Sequence, residues 1–362
     1  ETYAKMFLTL WNVHKFHLDY AILDNFDYSK DFIPVDKRNA LDRWILSRVS
    51  SVAENYHDQY VSWEFHKAAR ELENFVINDL SNWYVRRSRR RLWDEAESHD
   101  KRACQFTLHE VLLTVSKLMA PIAPFMPDKI HFDLTGTSVH TADWPLGSDL
   151  VDKNLPPQDL GLEKEMSIVR MLAETGRKIR VEAKRRQRLP CKEGWIVGGP
   201  DLSEFHSIIA EELNVENLTT ENNLDRFQKI EVLPNHKVLG AKCRADLPKV
   251  LSELSQLDPD SLLSDIEKGT AKLAGFEITS EDINIKRVEK EGYAASTFEV
   301  EETGDISLVL DVEITDDLVS KGLAREITRR IQSKRKELDL DLEASISLKV
   351  WLELDSPKLN ED

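Results

Sequence analysis

Apolar residues recur at helical spacing through the first 135 residues and at strand spacing in several segments after residue 190, and this change of period most constrains the fold. Met6, Leu10, Val13, His17 and Tyr20 line one helix, and Leu41, Ile45, Val49, Val52 and Tyr56 line a second. Between them, residues 24–34 carry the Asp, Asn, Ser and Pro of a loop. A third helix is expected from roughly Trp63 to Trp93, its apolar side formed by Phe65, Ala69, Leu72, Phe75, Val76, Leu80 and Trp83. A fourth, from Ala103 to Met119, must stop before Pro121 and Pro124, and Phe125 to Leu134 makes one more. Helices of this length with short connections predict an antiparallel bundle.

Residues 135–160 are irregular, with Gly136, Pro145, Gly147, Pro156 and Pro157, and mark the main boundary. A basic helix is expected from Leu162 to Gln187, ending at Arg188-Leu189-Pro190. Short strands then alternate with helices: strands at Gly194–Gly198, Asn217–Thr219 and Lys229–Leu233, with a helix over Leu202–Leu213. Helices over Asp246–Leu257 and Asp260–Leu273 are followed by strands at Phe276–Ile285, Tyr293–Val300 and Ile306–Ile314. Thr315 caps a helix running to Leu338, and Ser345–Leu354 alternates again as a strand. The expected fold class is a multidomain, mainly α chain. An antiparallel bundle (1–145) precedes a basic helix with a small α/β unit (160–235) and an α+β region (236–362).

With 362 residues and 41% apolar content, the chain can build more than one core. No run of about 18 apolar residues exists, so no transmembrane helix is expected, and the start carries no secretory signal. The chain begins with Glu1 rather than Met and reads as a piece of a longer one. Cys104, Cys191 and Cys243 are too few and too far apart for a disulfide framework or a zinc site, which points to a reducing cytoplasm. A net charge of −16 opposes nucleic-acid binding if charge is spread evenly. It is not spread evenly. Residues 86–91 hold five arginines and no acid, and residues 164–192 hold ten Lys or Arg against Glu165, Glu174 and Glu182.

On a helix Arg86 and Arg90 share a face, as do Arg87 and Arg91, and the run is flanked by Trp83, Tyr84 and Trp93. Guanidinium forks bind phosphates in pairs of hydrogen bonds, and unpaired bases stack on aromatic or guanidinium planes. The alternative is a solvated face paired with Glu71, Glu73, Asp94 and Glu95. Five arginines in six positions repel one another, which favours an anionic partner. The second candidate is the basic helix with Arg177, Lys178, Arg180, Lys184, Arg185, Arg186 and Arg188. The third is the helix after Thr315, where Arg325, Arg329, Arg330, Lys334, Arg335 and Lys336 are accompanied by Glu326 and Glu337. His14 and His17 are three apart but lack further ligands, so no metal site is expected. No nucleophile elbow, phosphate loop or dinucleotide fingerprint occurs, so no catalytic residue is assigned.

Residues 78–93, Asn-Asp-Leu-Ser-Asn-Trp-Tyr-Val-Arg-Arg-Ser-Arg-Arg-Arg-Leu-Trp, resemble the hallmark helix of the anticodon-binding domain of class I isoleucyl-tRNA synthetases. Leu8-Thr-Leu-Trp-Asn12 and Leu118-Met-Ala-Pro-Ile-Ala-Pro-Phe125 support the resemblance. So do Arg185–Pro190, Glu212–Val215, Pro234–Gly240 and Gly322–Ile327, in the family's order and closest to its archaeal/eukaryotic-type branch. The resemblance implies a tRNA-binding, monomeric, cytoplasmic part of an enzyme that charges tRNA-Ile with isoleucine. The ATP and Mg of that reaction would belong to a catalytic domain whose His-Ile-Gly-His and Lys-Met-Ser-Lys-Ser signatures are not in this sequence. No cofactor is expected in the part present. Its RNA contacts would be Tyr84, Arg86, Arg87, Arg89, Arg90 and Arg91, with Lys184, Arg185, Arg186 and Arg188 beside the bundle. The equivalent part of a valine or leucine enzyme, and a protein-interaction scaffold, remain the alternatives.

Overall fold

The computed structural model describes residues 2–30, 32–93, 98–145, 158–269, 271–301, 303–340, 344–349 and 351. Its packing divides into two units. One comprises residues 1–174, 199–209 and 300–303, and the other 175–198, 210–299 and 304–362.

The first unit is the bundle: α1 (Thr2–Leu23), α2 (Ala40–Val61), α3 (Phe65–Asn74), α4 (Arg86–Trp93), α5 (His99–Met119) and α6 (Phe125–Thr135), joined by the first half of α7 (Leu160–Glu182). Asn39 and Ser98 accept backbone N–H bonds from Asp42 and Lys101, which fixes where α2 and α5 begin. Leu10, Ile45, Val49, Val52, Leu72, Val76, Val111, Leu112 and Val115 are fully buried. Between α3 and α4 the expected long helix is wound as a π-helix over Phe75–Val85. Phe75, Leu80 and Val85, five residues apart, all face the core. On an α-helix that spacing would turn each by about 140° from the last, so i→i+5 winding is what keeps them on one side. Arg38, fully enclosed, donates to Glu110 at 2.6 Å and to the Ile33 carbonyl, tying the α1–α2 connection to α5.

The second unit contains a four-stranded sheet of order β2-β1-β8-β7, built from β1 (Cys191–Val197), β2 (Val215–Glu221), β7 (Tyr293–Val300) and β8 (Gly304–Asp311). β1 and β2 are parallel, connected through residues that include α8 (His206–Leu213), whereas β1 and β8 are antiparallel with Trp195 opposite Val309. β3 (Gln228–Pro234) and β6 (Ile283–Glu289) form an antiparallel ribbon. Around the ribbon lie α9 (His236–Cys243), α10 (Leu247–Leu254), α11 (Pro259–Glu267) and the two-residue strands β4 (Lys272–Leu273) and β5 (Phe276–Glu277). They share a core of Leu239, Val250, Leu254, Leu262 and Ile283. α12 (Asp316–Glu337) is capped by Thr315 as expected.

Several expectations change. The helix expected over Asp260–Leu273 ends at Glu267, and Lys272–Leu273 is the strand β4. The basic helix ends at Glu182, five residues early. There the amide of Lys184 bonds the Val181 carbonyl and that of Arg185 the Arg180 carbonyl, with Lys184 left-handed at φ 53°. This is the two-bond helix stop that usually carries glycine, here built on lysine. The expected strand Phe276–Ile285 is interrupted, with β6 beginning only at Ile283. Residues 344–349 and 351 form no strand, and the rest of Ser345–Leu354 lies outside the described residues.

Candidate nucleic-acid interface

α4 presents its arginines by simple helical geometry. Ser88 and Leu92, four apart, are buried, which turns Arg86, Arg89 and Arg90 to solvent and places Arg87 and Arg91 at the flanks. Arg86 donates to the Asn82 carbonyl at 2.9 Å, and Arg87 to the Ile208 carbonyl at 3.1 Å. Both guanidiniums lie over the Trp83 ring, at 5.8 and 5.4 Å, with Arg170 of α7 at 5.5 Å. Trp83 itself is core, its indole N–H on the Met166 sulfur at 3.2 Å. Trp93, at the end of α4, is half exposed.

Two expected RNA contacts point inward. Arg91 grips Asp42 with two parallel bonds of 2.8 and 2.6 Å and also reaches Asp100 at 2.7 Å. Tyr84 is fully buried, and its hydroxyl donates to the same Asp42 at 2.6 Å. Burial, and then the Asp42 carboxylate, push its phenol well above the usual tyrosine range. Asp42 has no exposure at all, so it needs both partners. Arg91 and Tyr84 therefore hold this segment on α2, their polar groups engaged by Asp42. Of the acids considered as partners for the run, Glu71 accepts from Asn55 and Gln59 instead. Asp94 and Glu95 lie outside the described residues.

The second set falls in the other unit. Lys184, Arg186 and Arg188 are exposed on the turn after α7, and Arg185 is half-buried. Arg180, which the sequence grouped with them, is buried; its guanidinium donates to the Leu189 and Leu213 carbonyls at 2.7 Å, Asn214 at 3.0 Å and Arg186 at 3.3 Å. Arg177 sits 3.6 Å from Glu212. Nothing in a 3.6-residue pattern distinguishes Arg180 from its neighbours; its role is set by two carbonyls of the turn that follows and two more than 30 residues away in sequence.

His14 is buried against Asp133 at 3.0 Å, and His17 packs edge-on to His109 at 5.8 Å, so neither faces a ligand site. Among the described residues no group of three His, Cys, Asp or Glu side chains could hold a metal ion, and no helix is long and apolar enough to cross a membrane.

Residues 42–194 match the family described as the anticodon-binding domain of tRNA ligase, a stretch that runs past residue 145 through α7 and β1. The chain is 34% identical over 354 residues to an isoleucine-tRNA ligase of Methanocaldococcus jannaschii, covering 95% of this chain and 32% of that protein. It is 33% identical to isoleucine-tRNA ligases of Bacillus thuringiensis, over 96% of this chain and 33% of that protein, and of Clostridium acetobutylicum, over 97% and 34%. The chain thus spans about a third of the length of the curated relatives it matches. The chain is thus similar along nearly its whole length to isoleucine-tRNA ligases, and residues 42–194, which include the arginine helix α4, match the anticodon-binding domain of tRNA ligase.

Proposed function

We propose that this chain is the tRNA-reading, non-catalytic part of an isoleucine-tRNA ligase. The whole enzyme would adenylate isoleucine with ATP and Mg and transfer it to the 3′ end of tRNA-Ile in a catalytic domain outside this sequence. The observation that carries the reading is α4: Arg86, Arg89 and Arg90 face solvent from an anticodon-binding domain while Arg91 and Tyr84 lock the helix beneath them. Arginines fixed in this way offer planar pairs of N–H donors to phosphates or base edges with little side-chain ordering left to do. Arg87 stiffens the row from its place over Trp83. A charge of −16 does not prevent this, because ionic fields in physiological salt decay over about 8–10 Å and the local patch governs contact.

The test is binding of this chain to a tRNA-Ile transcript, to the same transcript with its anticodon replaced, and to valine and leucine tRNAs, at two salt concentrations. The reading expects salt-sensitive binding that weakens on anticodon replacement, and an R86Q/R89Q/R90Q variant that loses it. A folded chain indifferent to all these tRNAs would leave the interaction-scaffold reading. Preference for a valine or leucine tRNA would reassign the substrate.

A further inference from the structure

α12 and the turn after α7 are about 140 residues apart in sequence, yet within the second unit they form one surface. Gly322 of α12 lies against the turn, and a Cβ there would come within 3.2 Å of the Leu189 side chain. The Arg188 guanidinium meets Glu326 of α12 at 2.7 Å. Asn214 links the two, donating to the Gln187 carbonyl at 2.9 Å and accepting from Arg325. The turn is also held from below by buried Arg180, whose guanidinium spans the Arg186 and Leu189 carbonyls. A segment tied at this many points presents its side chains from a fixed backbone.

The charges on that surface do not balance. Glu326 is one carboxylate shared by three guanidiniums: Arg188, Arg329 at 2.7 Å and Arg330 at 3.0 Å. They hold its carboxyl down at about 2, Arg329 contributing most. The local sum is two positive charges, and the three arginines stay largely open to solvent, at 60%, 53% and 77% side-chain exposure. Residues 183–192 add Lys184, Arg185, Arg186 and Lys192 with no acid. An ordinary surface ion pair is one to one and gains little. Three cations arranged about one anion, with further cations beside them, leave donors directed outward for which phosphate oxygens are the natural acceptors.

We infer that Lys184, Arg186 and Arg188 of the turn, with Arg329 and Arg330 of α12, form a second RNA-backbone site in this chain, separate from the α4 arginines and indifferent to base sequence. The inference rests on the tRNA-binding reading above and adds α12 to it. Glu326 serves as the organiser on which the three guanidiniums converge.

The experiment compares the full 362-residue chain with R329Q/R330Q and R329K/R330K variants, using tRNA-Ile and anticodon-replaced transcripts across a salt series. Each lost phosphate contact lowers the slope of log affinity against log salt by about 0.7–0.9, so R329Q/R330Q should flatten it by about 1.4–1.8. The same contacts are worth about five- to eightfold each at 0.1 M salt, so affinity should fall by about 25- to 60-fold, equally for both transcripts. R329K/R330K keeps the point charges and should retain most of the slope. Both positions are exposed, so circular dichroism should show an unchanged fold. If wild type binds and R329Q/R330Q matches it in affinity and slope, this site is overturned while the α4 reading stands. If wild type binds neither transcript, both fall. A loss confined to the native anticodon would also overturn it, since a backbone site cannot read bases.

Discussion

Replacing Arg91 by alanine separates its structural role from an RNA role with a large, calculable effect. Asp42 is fully buried and has two strong partners, the Arg91 fork at 2.6 and 2.8 Å and the Tyr84 hydroxyl at 2.6 Å. Arg91→Ala leaves the carboxylate enclosed with a phenol and no cation, a change that costs about 3–5 kcal/mol in buried pairs. Domains of about 150–250 residues shift their melting point by about 2–4 °C per kcal/mol, so the bundle should melt about 6–20 °C lower, read by far-UV circular dichroism. The partner's charge is the cause, so removing it should restore most of the loss. Asp42→Asn still accepts from Tyr84 but needs no cation, and R91A/D42N should recover roughly half or more of the deficit. If Arg91→Ala melts within about 2 °C of wild type while tRNA affinity falls, Arg91 belongs with the RNA contacts and the inward assignment is wrong.

His17 and His109 are buried and neutral: burial pushes them down to about 3 and about 4, with the neighbouring His109 and His14 lowering His17 further. Their folded values lie below the unfolded value near 6.5, so the stability they permit is complete above that pH and is lost as pH falls below it. With up to two protons taken up on unfolding, bundle stability should drop by up to about 2.7 kcal/mol per pH unit between roughly pH 6 and 5, and His109→Gln should halve the slope. A urea midpoint that does not move between pH 7 and 5 contradicts this. Lys184→Gly should do two opposite things: relieve a left-handed residue, raising stability by about 0.5 kcal/mol, and remove a cation, lowering tRNA affinity. Loss of both would mean that the lysine side chain, rather than the turn, stabilises this end of α7. Arg170→Ala leaves Asp79 with Arg48 alone and uncovers one face of Trp83, so it should cost about 1–3 kcal/mol in chemical denaturation, and no change would deny that α7 braces the π-helical segment.

The sequence made the bundle legible because Leu10, Ile45, Val49, Leu72 and Val115 obey the helical period and have no polar rival for the core. What it hid depends on contacts distant along the chain. The π-helical winding is invisible to a 3.6-residue template because Phe75, Val76, Leu80 and Trp83 also fit an α-helical stripe, and only Phe75, Leu80 and Val85 buried together reveal the five-residue spacing. The end of α7 is not legible because its left-handed residue is Lys184, where glycine is the usual stop signal. Arg180 looked like Lys184 and Arg186 because charge is read locally, whereas the four carbonyls that bury it come from two separate turns.

The arginine run shows how one short segment can carry two tasks. Its composition forces self-repulsion, and a helix disperses it by turning successive residues about 100° apart. Ser88 and Leu92 anchor the inner side, and Arg91, seven residues from Tyr84, returns to that residue's face and meets the same Asp42. The inward arginine is neutralised by a buried acid, and that fixed attachment is what lets Arg86, Arg89 and Arg90 remain ordered while facing solvent. A second inward arginine would need a second buried acid. Arg91, held by Asp42 and Asp100, therefore attaches α4, while Arg86, Arg89 and Arg90 extend from its exposed side within an acidic chain.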